Sequence, residues 1–167
     1  MNVCLSLGSN EGDRLANLTA ARNRIAALPG CRIAAASPVY ETEPVDVTEE
    51  HRDKWFLNAA LIVQTGLPLR ELQEELHTVE AALGRVRVED RNAPRTLDID
   101  IICTDGPPLS STVLTVPHPR WKERRFVVEP LAAIRPDWDI PGEARTPAEV
   151  LAALPPKPVA TLFTEDW

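Results

Sequence analysis

Phe56-Leu57-Asn58-Ala59-Ala60-Leu61-Ile62-Val63-Gln64-Thr65 is a sustained, mostly apolar run that reads as a β-strand, stopped by Thr65-Gly66. Directly after it Leu69, Leu72, Leu76, Val79 and Leu83 step by three and four. That is an amphipathic helix, opened by Pro68 and closed by Gly84. Residues 96–103 form the next strand, broken by Gly106-Pro107-Pro108. Upstream, Val3, Leu5 and Leu7 alternate with Cys4 and Ser6 in a short strand that ends at Gly8-Ser9-Asn10. Leu15, Leu18, Ile25 and Leu28 place a helix over 13–28, ended by Pro29-Gly30. A further strand covers 31–40, where Pro38 marks an edge or a bulge.

The order is strand, helix, strand, strand, helix, strand. This βαββαβ sequence predicts an α+β domain with a ferredoxin-like core: an antiparallel sheet with helices on one face. A C-terminal extension follows, with a short strand at Leu114-Thr115-Val116 and a helix over 126–134. Thr146-Pro147-Ala148-Glu149 is a capping box that starts one more short helix. The polar stretches 43–54 and 84–94 lack periodicity and read as functional loops.

The chain has 167 residues, 44% hydrophobic and 26% charged, which suits one domain over 1–167 and excludes disorder or a coiled coil. Lys and Arg number 18 against 25 Asp and Glu, so the net charge of −7 argues against bulk nucleic acid or an anionic membrane as partner. Cys4, Cys31 and Cys103 form no CxxC pair, which speaks against a disulfide framework or a thiolate zinc site. No apolar run approaches ~18 residues. The expectation is a cytoplasmic monomer.

Arginine outnumbers lysine 15 to 3 and gathers in two places, Arg85, Arg87, Arg91 and Arg95, then Arg120, Arg124 and Arg125. In an acidic chain such clusters suggest a local anion, because the planar guanidinium fork suits phosphate. Asp98 and Asp100 sit two apart on a strand, on one face, with Cα atoms about 6.7 Å apart. Two such carboxylates repel unless cations lie between them, and two Mg²⁺ about 3.5–4 Å apart fit that gap. A bare Asp-x-Asp is more often a solvated strand face, but four arginines upstream favour a magnesium–nucleotide site. No GxxxxGK[ST] is present, so this is not a P-loop. His118 lies on a rigid turn between Pro117 and Pro119, within reach of an anion held by Arg124. On their own, Phe56 and Phe126 read as core. An RNA-binding module on the same core would need a basic face and several sheet aromatics, and the strands offer mainly Phe56.

The stretch Gly84-Arg85-Val86-Arg87, then Arg91-Asn92-Ala93-Pro94-Arg95-Thr96-Leu97-Asp98-Ile99-Asp100-Ile101, resembles the signature of the 6-hydroxymethyl-7,8-dihydropterin pyrophosphokinases. The likeness extends to Leu7-Gly8-Ser9-Asn10, Phe56-Leu57-Asn58-Ala59-Ala60, Leu114-Thr115-Val116-Pro117-His118, Arg124 and Phe126. It implies an α/β sandwich on a ferredoxin-like core, and transfer of pyrophosphate from ATP to the pterin hydroxymethyl group with release of AMP. It further implies that Asp98 and Asp100 bind two Mg²⁺, with Arg85 and Arg87 catalytic. Arg95, His118 and Arg124 would hold phosphates, and Ile101 and Thr115 would lie near the adenosine. The pterin would sit among Thr42, Val45, Phe56, Asn58 and Phe126, and Glu80 also falls on a family position. Asn92 stands where many members carry a tryptophan, Val88 where lysine is common, and Pro119 where some have tyrosine. The 84–94 loop is expected to act as a lid, with Trp55 as the alternative aromatic cover for the pterin.

Overall fold

In the computed structural model, which describes residues 1–45, 49–86 and 93–167, strand β4 (Phe56–Thr65) runs through the middle of a six-stranded sheet. It has the bounds its sequence predicts. On one side it pairs antiparallel with β1 (Asn2–Ser9), which pairs antiparallel with β5 (Asp98–Thr104). On the other side it meets β2 (Cys31–Ala36) and β3 (Val39–Thr42). Helix α1 (Arg14–Ala26) links β1 to β2, and α2 (Leu69–Ala82) links β4 to β5. This is the expected ferredoxin-like core.

The strand expected over 31–40 divides at Ser37-Pro38. Pro38 has no N–H to give to the ladder, and Ser37 substitutes for it. Its amide donates to the Ala60 carbonyl at 2.9 Å and its hydroxyl accepts the Ala60 amide at 2.8 Å. β2 therefore pairs with the far half of β4, and β3 with the near half, Tyr40 opposite Asn58 and Thr42 opposite Phe56.

Alternation sends side chains to two separate cores. Leu5, Leu7, Leu57, Leu61 and Ile99 face Leu18 and Ile25 of α1 and Leu72, Leu76 and Val79 of α2. Cys4, Ala60, Ile62, Ile102 and Cys103 face the opposite way. There the extension covers them with α3 (Arg125–Ile134), α4 (Pro147–Ala153) and the fully buried Trp121. The result is a sandwich with helices on both faces. A bulge after Cys4 places Cys4 opposite Cys103 and Leu5 opposite Ile101. The two facing cysteines are free thiols inside the α3-side core.

Two parts of the extension depart from expectation. The short strand at 114–116 is β7 (Thr115–Val116), which closes a hairpin with β6 (Leu109–Ser110) where only a break was expected. The chain then returns as β8 (Ala160–Thr164), a strand the sequence did not suggest, and adds to the sheet beside β3. Beyond it the Trp167 indole donates to the Ser37 carbonyl at 2.7 Å and lies under the Arg22 guanidinium, 4.9 Å from its ring centroid. No helix among the described residues is long and apolar enough to cross a membrane.

Candidate active site

Near the end of β1, Gly8 pairs with Asp98 on one side and with Asn58 on the other. Residues directly opposite one another share a face, so Asp98, Gly8 and Asn58 form a row across three strands, on the α3 side of the sheet. Strand spacing of ~4.7–4.9 Å puts the acid and the amide about 10 Å apart. Gly8 is bare because it must be. A Cβ there would lie 2.9 Å from Asn58 Oδ1 and 3.6 Å from the Phe56 ring. Asn58 is buried and aimed by its own hydrogen bond, Nδ2 donating to Thr42 Oγ1 at 2.6 Å. Phe56, opposite Thr42, is half-buried on the same face.

One row further along β5 lies Asp100, opposite Ser6. Both oxygens of its neighbour Asp98 carry a guanidinium, Arg85 Nη1 at 2.5 Å on Oδ1 and Arg95 Nη1 at 3.0 Å on Oδ2. Arg85 also donates to Glu80, which is only 2% exposed and accepts the Ile99 amide at 2.7 Å. Gly84 makes this possible. Its φ of +86° turns the chain off the end of α2, so that Arg85 doubles back onto Glu80. Burial pulls the Arg85 pKa down, but Asp98 and Glu80 outweigh it and hold the group above the ordinary arginine value. Asp100 is pushed up to about 6 by burial and then by the Asp98 charge, with Arg124 opposing.

His118 donates its amide to the Ile102 carbonyl at 2.7 Å and accepts the Arg120 amide on Nδ1 at 3.1 Å. The ring proton therefore sits on Nε2. Burial and the nearby Arg124 lower its pKa, which keeps the imidazole neutral. The Arg124 guanidinium lies over the Phe126 ring, 5.7 Å from its centroid.

The other predicted residues differ in exposure and direction. The Ile101 side chain points into the α1–α2 core, so only its backbone is available to a ligand. Thr115 is exposed on the β7 hairpin and Val45 is exposed beyond β3. Of the second arginine cluster, Arg125 is turned away and ties α3 to the chain after α4 through the Leu154 and Pro155 carbonyls. Arg120 pairs with Glu123 on the surface. Trp55 lines a cleft of about 430 Å³ with Asn10, Arg14, Glu41 and Lys54. Arg87, Val88, Arg91 and Asn92, and with them most of the expected lid, lie outside the described residues.

Two residues gain a role that physical reading of the sequence did not give them. Glu80 was marked only by the resemblance. Asn10 accepts the Arg95 amide on Oδ1 at 2.8 Å and so joins the end of β1 to the chain entering β5. Among the described residues no group of three or more His, Cys, Asp or Glu gathers. The Asp98–Asp100 pair nevertheless offers hard oxygen donors on one face. That suits Mg²⁺, which keeps several waters and takes one or two carboxylates plus phosphate oxygens.

The sequence profile of the 7,8-dihydro-6-hydroxymethylpterin-pyrophosphokinase family matches residues 4–136. A 2-amino-4-hydroxy-6-hydroxymethyldihydropteridine pyrophosphokinase of Methylorubrum extorquens is 46% identical over 152 residues, 91% of this chain and 92% of that protein. The protein of the same name from Pseudomonas aeruginosa is 36% identical, covering 92% of this chain and 91% of its own. Folic acid synthesis protein fol1 of Schizosaccharomyces pombe is 33% identical over 90% of this chain, which spans only 20% of that longer protein. A crystal structure of Plasmodium falciparum HPPK-DHPS shares the fold over 90% of this chain and 42% of its own, with a TM-score of 0.65 at 15% identity. The chain belongs to the 7,8-dihydro-6-hydroxymethylpterin-pyrophosphokinase family, enzymes that transfer pyrophosphate to the hydroxymethyl group of a dihydropterin in folate biosynthesis.

Proposed function

We propose that the chain performs this transfer as a single monomeric, cytoplasmic domain over 1–167, using ATP and two Mg²⁺ held at Asp98 and Asp100. The observation that supports the reading is the row Asp98–Gly8–Asn58, in which an acid and an amide share one face of the sheet on either side of a bare glycine. Asn58 has both donor and acceptor atoms for an amino-pyrimidinone edge. Phe56 and Phe126 supply faces for the ring, with Thr42 and Val45 at its border. Arg95, Arg124 and the Nε2–H of His118 hold phosphate oxygens, and the backbone at Ile101 and Thr115 flanks the adenosine. Bound Mg²⁺ would supply charge neutralisation on the phosphate oxygens and the leaving group.

In this reading the pterin alcohol attacks the β-phosphorus in line and AMP leaves. Arg85 and Arg87 stabilise charge as the transfer proceeds. No strong general base is needed, because positioning and electrostatics dominate phosphoryl-type transfer. The test is to incubate the protein with ATP, Mg²⁺ and 6-hydroxymethyl-7,8-dihydropterin and identify the nucleotide product. AMP is expected. ADP would make the site an ordinary γ-phosphate kinase, and no turnover would remove the catalytic assignment.

A further inference from the structure

The Asp98 carboxylate is already charge-paired on both oxygens. Arg85 and Arg95 each donate to it, with side chains 15% and 18% exposed against 27% for Asp98. A divalent cation and these guanidiniums want the same lone pairs. Glu80 makes the arrangement asymmetric. Its carboxylate is pinned by the Ile99 amide in a buried position and cannot follow Arg85 outward. Arg85 can therefore give up Asp98 while it keeps Glu80.

We propose that Arg85 is a stand-in counter-ion at Asp98, competing with divalent metal until an incoming polyphosphate draws the guanidinium away and frees the carboxylate. The proposal rests on the metal reading above and adds an order to it. Metal alone binds weakly, because it must displace a cation from a partly buried carboxylate. A polyphosphate gives Arg85 another anion, so phosphate and metal tighten each other's binding, and the coupling is reciprocal. The repulsion between Asp98 and Asp100 is meanwhile relieved by the protein's own cation. This accounts for a charged guanidinium poised between two acids at the mouth of the loop that follows α2.

The experiment measures Mn²⁺ binding without nucleotide, from the loss of the free-ion EPR signal. Arg85→Met keeps the length and removes the charge, and should tighten Mn²⁺ by up to about fivefold, the worth of one partly screened ion pair. Arg95→Met is the second variant and should move in the same direction. Arg85→Lys keeps a cation and should bind Mn²⁺ less tightly than Arg85→Met. Adding Asp98→Asn to Arg85→Met must erase the gain. Binding unchanged or weakened in both Met variants overturns the proposal, as does a gain that survives Asp98→Asn. None of these readouts uses turnover. AMP formation by the parent with no gain in Arg85→Met would sink this inference alone, and ADP formation with the gain present would sink only the pyrophosphoryl reading.

Discussion

At Gly8 one methyl group decides whether Asn58 keeps its place. A Cβ there would press on Asn58 Oδ1 and break the alignment that Thr42 gives the amide. Gly8→Ala should raise the pterin dissociation constant by about tenfold, the cost of one misaligned hydrogen-bonding edge, while ATP binding changes little. Titration of pterin with a non-hydrolysable ATP analogue measures it. Asp100 makes a second prediction, on stability. Its proton is held up to about 6 instead of 3.8, so the folded state binds it more tightly than the unfolded state does. Stability from this group is therefore full below the unfolded value and is lost as pH rises through that window. Asp100→Asn, without nucleotide, should melt a few degrees above the parent at roughly pH 8, with the difference gone near pH 4 and turnover abolished throughout. Thermal melts across that range test it. The shared face of Asp98 and Asp100 was legible in the sequence because a spacing of two on a strand fixes it, whereas the closure of Arg85 and Arg95 onto Asp98 was not, because it depends on how the chain leaves α2 and enters β5. Glu80 was not, because α2 also carries Glu71, Glu74 and Glu75, and only packing against β5 shows which acid is buried.

Among the elements, strong periodicity was a reliable guide. β4, α2 and the capping box before α4 stand where their patterns put them. β8 has no sequence signature, because Ala160-Thr161-Leu162-Phe163-Thr164 exposes its middle residues and does not alternate, as befits an edge strand with little to bury. Its contribution lies in its neighbours. It covers the edge of β3, the strand that carries Thr42, and Trp167 then latches the end of the chain to Ser37 and Arg22. Trp167→Ala should cost about 2 kcal/mol, or about 4–8 °C in Tm, from a lost hydrogen bond, a cation–π contact and part of an aromatic side chain. Differential scanning calorimetry reads this directly. A drop of less than a degree would mean that β8 stays in register without the latch.

As a whole, the molecule divides its labour between two cores on either side of one sheet. The α1–α2 side is made of long aliphatic contacts, and the α3 side ends at the carboxylates, so ligand binding should be felt by the sheet that both sides share. At about a hundred times its dissociation constant, a Mg²⁺-bound ATP analogue should add roughly 2.7 kcal/mol and raise Tm by about 5–10 °C. EDTA should remove most of that shift, and a shift that persists in EDTA would contradict metal-mediated binding at Asp98 and Asp100. The facing thiols of Cys4 and Cys103 offer a separate view of the same sheet. The facing Cys4 sulfur and burial hold the Cys103 thiol well above an ordinary cysteine pKa, and Cys31 is half-buried near the edge. An alkylating reagent should mark Cys31 promptly and reach the other two only when β1 parts from β5. The chain thus carries its own stopwatch: the slow phase of thiol capture times the parting of β1 from β5, the strand that bears the carboxylates, with no label added.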